Sequence, residues 1–342
     1  MFKTQSQFTN SMFGSYTYDP IINRNQDHLL VKMDKLIDWS FVEDEVVGCY
    51  SELGQKAIHP LRMFKLLVIQ HLYDLSERDT MTNTDCNIIF RYFVGLGLSE
   101  EMPHWTELGK FKERIGTDVF ERLFYRVLEE AERLGIKISK KRNADATDIQ
   151  ANVDLKRCAK DKRDKDDHTW VDRNTSDPDA DFGHKAKDKS WHGYKSHTNQ
   201  EVANELVTAV ITTAASETDE SQLISLIDKE RNYRGENSIR KQGGDKGFVG
   251  HTAELIERDI LDYVIPRDNM KKDKAKKNKN NHYLHLKRLR YQVEQKFAEG
   301  KKKHGLGKAR YRGRWKVHLQ GLLTYLVMNL KRIVNLLMPK MA

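Results

Sequence analysis

Between Asn143 and Pro266 the chain switches repeatedly between two hydrophobic periodicities, and that alternation limits what it can fold into. Within NADATDIQANV, from Asn143 to Val153, Thr147, Ile149 and Val153 fit an extended segment. WHGYKSHT (Trp191 to Thr198) and LVTAVIT (Leu206 to Thr212) read as the two strands of a hairpin. Thr218-Asp219-Glu220-Ser221 then caps an apolar-periodic helix through Leu223, Ile224 and Leu226. A short strand over Ser238 to Gln242 follows, then a helix over Leu255 and Ile256, then a strand from Tyr263 to Ile265 closed by Pro266. Strand, hairpin, helix, strand, helix, strand describes an α/β chain with a mixed sheet and helices on its faces. In such a sheet the first and fourth strands lie side by side.

That pairing matters because each of the two strands leads to an acid. Asp145 and Asp148 lie on the first. Side chains alternate along a strand, so residues an odd number apart face opposite sides, and a regular strand sends these two to different sites. Asp145, followed by the small Ala146, leaves room for a metal and a phosphate and is the chosen candidate. The fourth strand runs into GGDKGF, Gly243 to Phe248, with Asp245 at its centre. The hexamer alone is either an ordinary Asp-Lys-Gly turn or an aspartate whose glycines admit a hard cation. If Asp145 and Asp245 meet, they repel each other and are costly to bury unless a cation neutralises them.

From His28 to about Leu134 the apolar residues recur at helical spacing. Pro60 suits the first turn of a helix carrying Leu61, Phe64, Leu67, Val68 and Leu72. A polar break from Ser76 to Thr84 precedes a helix over Ile88 to Val94, ended by Gly95 and Gly97. Two more helices follow, over Trp105 to Ile115 and Phe120 to Val127. Such a set of short helices is either a helix-turn-helix type of DNA reader or a structural bundle. Residues 1–27 lack periodicity, so the chain divides into 1–27, a helical domain over 28–135, and a domain over 136–342.

The 342 residues carry 59 Lys+Arg against 50 Asp+Glu, a net charge of +9. Much of the excess lies beyond residue 268, which favours a polyanionic partner. The stretch 154–189, dense in Lys and Asp, reads as a solvated loop, and MKKDKAKKNKNNH, Met270 to His282, as a lysine-rich linker and a phosphate-binding arm. Leu284, Leu286, Leu289, Val293 and Phe297 outline one helix, on which Arg290 and Glu294 are i,i+4 neighbours and by default a surface ion pair. Lys308, Arg310, Tyr311, Arg312, Arg314, Trp315 and Lys316 interleave cations with aromatics, as phosphate pairing and base stacking require. The helix over Leu319 to Leu337 reads as core. Three scattered cysteines, Cys49, Cys86 and Cys158, and no CxxC pair argue against disulfides and structural zinc. With no signal-like run in MFKTQSQFTN, and with Asn329, Lys331, Arg332 and Asn335 interrupting the most apolar stretch, a cytoplasmic protein that does not enter the membrane is expected.

Taken in order, these motifs resemble the bacterial insertion-sequence DDE transposases, and among them the group named insertion sequence five. The resemblance is carried by DAT at Asp145, DPDA before GYKSH, DKGF at Asp245, the segment from Arg290 to Lys301, and RYRGRWKVHLQGLLTYLVMNLKR from Arg310 to Arg332. The block from His28 to Gly116 is similar, more loosely, to the family's helical DNA-binding domain. The resemblance implies a ribonuclease-H-like mixed-sheet catalytic core with an N-terminal helical DNA-binding domain and C-terminal helices. It implies Asp145, Asp245 and Glu294 as the catalytic, metal-holding acids, with Arg290 and Lys301 at the family's spacing around the glutamate. Two departures stand out: Lys287 occupies the position of the signature tyrosine, and Phe248 that of a common tyrosine. Implied too are two Mg2+ ions (Mn2+ as a substitute) about 4 Å apart, hydrolysis at transposon ends, and strand transfer without a covalent protein–DNA intermediate. Arg290, Lys301, Arg310, Arg312 and Arg314 become the DNA-contacting cations. The implied partner is double-stranded DNA, bound by a homodimer in the bacterial nucleoid. A nuclease that cuts without joining and a DNA-binding protein that keeps the fold without catalysis are the competing readings.

Overall fold

Strand β1, Lys141–Gln150, sits between neighbours of opposite direction and organises everything after it. The computed structural model describes residues 19–51, 57–155, 176–186 and 189–338. On one side β1 pairs antiparallel with β3, Lys189–Glu201, which pairs antiparallel with both β2, Asp181–Ala186, and β4, Val207–Ala214. On the other side β1 pairs in parallel with β5, Lys241–Gly244, and β5 with β6, Leu261–Val264. This is the expected mixed sheet: an antiparallel group continued by two parallel strands. The expected hairpin is β3–β4, and the expected side-by-side pair of first and later acid-bearing strands is β1–β5. Strand β2 falls in a segment whose charge density predicts a loop; β3 is long enough to hydrogen-bond it, and pairing overrides composition. Most of that segment, including Cys158, lies outside the described residues.

The described residues divide into two units, Met1–Ile136 with Leu323–Ala342, and Lys137–Leu322. Among the described residues the helices of the first include α1 (Leu29–Leu36), α2 (Ser40–Val46), α3 (Pro60–Leu72), α4 (Glu77–Cys86), α5 (Ile88–Val94) and α6 (Thr106–Arg133). Pro60 occupies the first turn of α3, and Gly95 closes α5 in the left-handed conformation, both as the sequence predicts. The polar break does not exist as a loop. Ser76 caps α4 by accepting from the Asp79 amide at 3.0 Å, and that cap starts a helix with little apolar surface. Helix α6 joins the last two expected helices through a kink at Gly116, whose φ is +75°. Trp39, Phe41, Phe64 and Phe93 pack edge to face, with Lys65 Nζ 5.1 Å from the Trp39 and Phe93 ring centres and 2.5 Å from Asp34.

In the second unit, α7 (Leu223–Arg234) and α8 (Thr252–Glu257) precede the lysine-rich segment, which folds in part as α9, Lys271–Lys277. The expected single helix over Leu284 to Phe297 is two, α10 (Asn281–Leu289) and α11 (Tyr291–Lys303), meeting at Arg290. Helix α12, Arg314–Leu337, closes the fold, and its residues from Leu323 onward belong to the first unit. None of the described helices is long and apolar enough to cross a membrane.

A buried ion pair ties α7 beneath the sheet. Arg142 at the start of β1 meets Glu230 on α7 at 2.6 Å, both side chains fully buried, and Thr208 on β4 donates to the same carboxylate at 2.6 Å. Removing one partner of such a pair strands a buried charge and costs about 3–5 kcal/mol. Glu230→Ala should lower the stability of this unit by that amount in urea unfolding followed by fluorescence. A loss no larger than a surface substitution would mean that Arg142 finds another partner or water.

Candidate active site

Residue pairing between β1 and β5 stops at Ala144 and Gly244. The next residue on each strand is an aspartate: Asp145 stays within β1, paired with Thr198 of β3, while Asp245 directly follows the last residue of β5. Helix α11 brings Glu294 to them, and all three carboxylates line one open cleft of roughly 650 Å³. Arg290 and Lys301 line it as well. Five residues predicted from distant stretches of sequence therefore converge.

Arg290 is the central cation. Its guanidinium lies 3.1 Å from Asp145 Oδ2 and also donates to Glu294, so it bridges the first and third acids. The default surface pair between Arg290 and Glu294 thus exists, but as part of the cleft. Lys301 Nζ lies 2.9 Å from Asp148 Oδ1. The expectation that Asp145 and Asp148 belong to different sites does not hold, since both line the cleft. Beyond Ala144, β1 has no β5 neighbour, and along that open edge alternate side chains reach the same space.

Burial and like charge dominate the electrostatics. Burial raises the Asp145 carboxyl to about 7, Asp245 and Glu294 add to the rise, and the Ala146 amide and Arg290 oppose it. Burial also raises Asp245, with Asp219 and Glu294 pushing the same way against the Gly247 amide and Arg290. The Gly247 amide donates to Asp245 Oδ1 at 2.9 Å. Hard oxygen donors such as these carboxylates suit a divalent ion such as Mg2+. In that respect the residues fit a metal. Among the described residues, however, no group of three or more acids, histidines or cysteines stands close enough to hold one ion; the Arg290 guanidinium spans the space between Asp145 and Glu294.

The glycines around Asp245 have tasks other than the expected one of opening a path to it. A Cβ on Gly243 would stand 2.2 Å from Asn143 Oδ1, so this glycine admits the Asn143 side chain, which donates to Leu286 O on α10 at 3.1 Å. Only Gly247 borders the acids: its Cβ would stand 3.0 Å from Asp245 Oδ1 and 3.4 Å from Asp219 Oδ2. Phe248 is fully buried among Leu223, Ile227, Leu255 and Val264, where a tyrosine hydroxyl would lack water. The Lys287 ammonium lies 5.8 Å from the Tyr283 ring centre, and Tyr283 is buried.

Arg310, Arg312 and Arg314 do not line the cleft. They lie on the segment before α12, which β1 anchors: Gln150 N donates to Gly307 O at 3.0 Å and Ala309 N to Gln150 O at 2.8 Å. Asp177 accepts from the Gly313 amide at 2.9 Å and Asp179 from the Arg314 amide at 2.9 Å, which gives the DPDA motif a positioning role. Sequence reading missed four cleft residues, His184, Trp191, Lys195 and Asp219. Lys195 and Trp191 belong to GYKSH and the stretch before it, singled out only as a strand, and Asp219 was absorbed into a helix cap.

Two family models match this chain. Residues 19–114 match the family model described as Transposase domain (DUF772), and residues 144–330 the one described as Transposase DDE domain. A crystal structure of a pre-cleavage Mos1 transpososome aligns with 86% of this chain and 83% of its own at 9% identity, with a TM-score of 0.21 that carries no argument. The match over residues 144–330 covers more than half of the chain and contains every acid of the cleft, so the chain belongs to the Transposase DDE domain family and is a DNA-cleaving and strand-transferring enzyme.

Proposed function

We propose that this transposase binds the terminal inverted repeats of an insertion sequence, hydrolyses phosphodiester bonds at the element ends and joins those ends to target DNA. The observation that carries the reading is the convergence of Asp145, Asp245 and Glu294 on one cleft. These three carboxylates would hold the divalent ions, Mg2+ with Mn2+ as a substitute. When bound, such ions polarise the attacking oxygen and stabilise the leaving one. The chain's own part is positioning. Asp145 lies within β1 and Asp245 directly follows β5, so the sheet fixes their spacing, while Glu294 rides on a helix. Arg290 neutralises Asp145 and Glu294 in the absence of metal; an ion taking over that task leaves the guanidinium to grip the scissile strand's phosphate. Lys301 does the same one face further along α11.

Arg310, Arg312 and Arg314, with Trp315 half exposed beside them, form a basic-aromatic segment for the DNA flanking the cut. The helical domain over 28–135 recognises the terminal repeats, and two copies of the chain hold two ends together as a homodimer on DNA in the bacterial cytoplasm.

Asp145→Asn, Asp245→Asn and Glu294→Gln should each lower cleavage of end DNA by about a thousandfold or more, since metal clamps contribute several kcal/mol to the transition state. Binding to the same DNA, measured by gel shift in Ca2+, should survive. Near wild-type cutting by any one variant removes that residue from the set. Cleaved products without joined ones would point to a nuclease.

Metal-free stability should depend on pH through Asp145. Its folded pKa of about 7 lies above the ordinary carboxyl value of 3.8, so the folded protein keeps a proton that the unfolded chain loses. The stabilising contribution is complete below pH about 4 and lost as pH rises to about 7. Above that pH, Asp145→Asn should melt a few degrees higher than wild type without metal, and Mg2+ should raise the melting temperature of wild type alone. Equal melting curves at every pH would refute the assignment.

Affinity for end DNA should fall about 10³- to 10⁵-fold between 50 and 200 mM salt if six to ten phosphates are contacted. Each of Arg310→Ala, Arg312→Ala and Arg314→Ala should reduce the log–log salt slope by about one. An unchanged slope in all three would place the DNA elsewhere.

A further inference from the structure

Lysines gather at the other end of the β1–β5 ladder from the acids. Lys141 and Lys241 are direct neighbours in the parallel pairing, so both half-buried side chains leave the same face of the sheet. The Lys241 amide donates to Lys140 O at 3.1 Å, which holds the start of β5 against the start of β1. Two ammonium groups placed side by side repel each other. Burial first, and the charge of Lys141 second, lower the pKa of Lys241 below the ordinary lysine value.

A second observation shows how these charges are held. Lys241 Nζ lies 5.9 Å from the ring centre of Tyr263 on β6, and Lys287 Nζ on α10 lies 5.8 Å from that of Tyr283. The two rings are buried and pack edge to face, with centres 6.5 Å apart. A ring face orients an ammonium without neutralising it, whereas a carboxylate would take up its charge and its N–H donors. The acids on or beside β6 are engaged elsewhere: Asp262 pairs with Lys277 at 3.1 Å, and Asp259 with Arg240. Among the described residues, none of Lys141, Lys241 and Lys287 meets an acid. The fold thus sets like charges in register, props two of three lysines on aromatic rings and supplies no counter-charge.

We infer that Lys141, Lys241 and Lys287 form a binding surface for the phosphodiester backbone of duplex DNA, separate from the catalytic acids. The partner is an anion because added negative charge relieves the repulsion between Lys141 and Lys241. It is a polyanion because the three lysines stand on three elements, β1, β5 and α10, as separate point charges, and an enzyme that cuts and joins DNA has that polyanion at hand. Lys141 lies four residues before Asp145 on the same face of β1, a span of roughly 13 Å along the strand. One helical turn of DNA, about 34 Å, is long enough to reach both places. Contacts of this kind fix the position of a duplex and carry no sequence information.

The test is fluorescence anisotropy of the full chain over a salt series with two labelled duplexes, one carrying the element's end and one of unrelated sequence. Lys141→Gln combined with Lys241→Gln should lower the log–log salt slope by about one to two. Without DNA the double variant should melt no lower than wild type, because a repulsive contact has been removed. A lowered slope with the unrelated duplex assigns the surface to DNA of any sequence, such as a target. A lowered slope with the end duplex alone assigns it to the DNA flanking the element's end. An unchanged slope with both duplexes overturns the surface, and overturns it alone if the variants at Arg310, Arg312 and Arg314 still lower theirs. If the double variant melts lower than wild type, the wild-type chain decides instead. Its lysines are acetylated with an amine-reactive ester and read by mass spectrometry, and the rates at Lys141, Lys241 and Lys287 should fall several-fold when duplex is added to saturation. Unchanged rates at these three positions with both duplexes overturn the assignment.

Discussion

The β1–β5 ladder is the constraint on which the catalytic unit depends. Only four residue pairs link the two strands, Lys141↔Lys241 to Ala144↔Gly244. Because the pairing is parallel and in register, the next residue on each strand is an aspartate at the same level, Asp145 within β1 and Asp245 just past the end of β5. A one-residue slip would turn one of them to the opposite face. Register is secured from below by the buried Arg142–Glu230 pair and at the side by Asn143, whose amide spans from the space beside Gly243 to the carbonyl of Leu286. The same amide link joins α10 to the sheet, immediately before the turn at Arg290 from which α11 carries Glu294.

What the sheet brings together, charge pushes apart. Burial raises the carboxyls of Asp145 and Asp245, and the charge of Glu294 pushes both further up. The protein's internal answer is Arg290, which contacts two of the three acids, with Lys301 answering Asp148 further along the helix. An arginine suits this task because it stays charged in any surroundings and offers a planar fork of donors. Its position between helices α10 and α11 leaves its guanidinium at the cleft whether a carboxylate or a phosphate is the partner. The separate basic segment around Arg312 is held by backbone contacts to β1 and to the DPDA aspartates, and by the Arg312 guanidinium, which donates to Asn152 O at 3.2 Å.

Elements with strong periodicity or punctuation were legible: the β3–β4 hairpin, α3 starting at Pro60, and the arrest of α5 at Gly95. Those without an apolar stripe were not. Helix α4 exists because Ser76 caps it and tertiary packing accepts it, and β2 exists because β3 offers a free edge, neither of which composition records. The break between α10 and α11 is invisible to a helical period that runs straight through Arg290. Asp219 and Lys195 lay in plain stretches of strand and cap, and only the pairing of β3 with β1 and β4 brought them to the acids.

The sequence by itself determined the alternation of strands and helices around β1 and β5, and its motifs singled out Asp145, Asp245, Glu294, Arg290 and Lys301 through their resemblance to a family, because periodicity and motif spacing are local properties of a chain. The tertiary structure alone decided how those charges are balanced. Which cation answers which carboxylate, why Asp148 shares the cleft, and why Gly243 admits Asn143 while Gly247 borders two acids all depend on distances between segments far apart in sequence. Electrostatic energy depends on those distances and on burial, and neither is written in the order of residues.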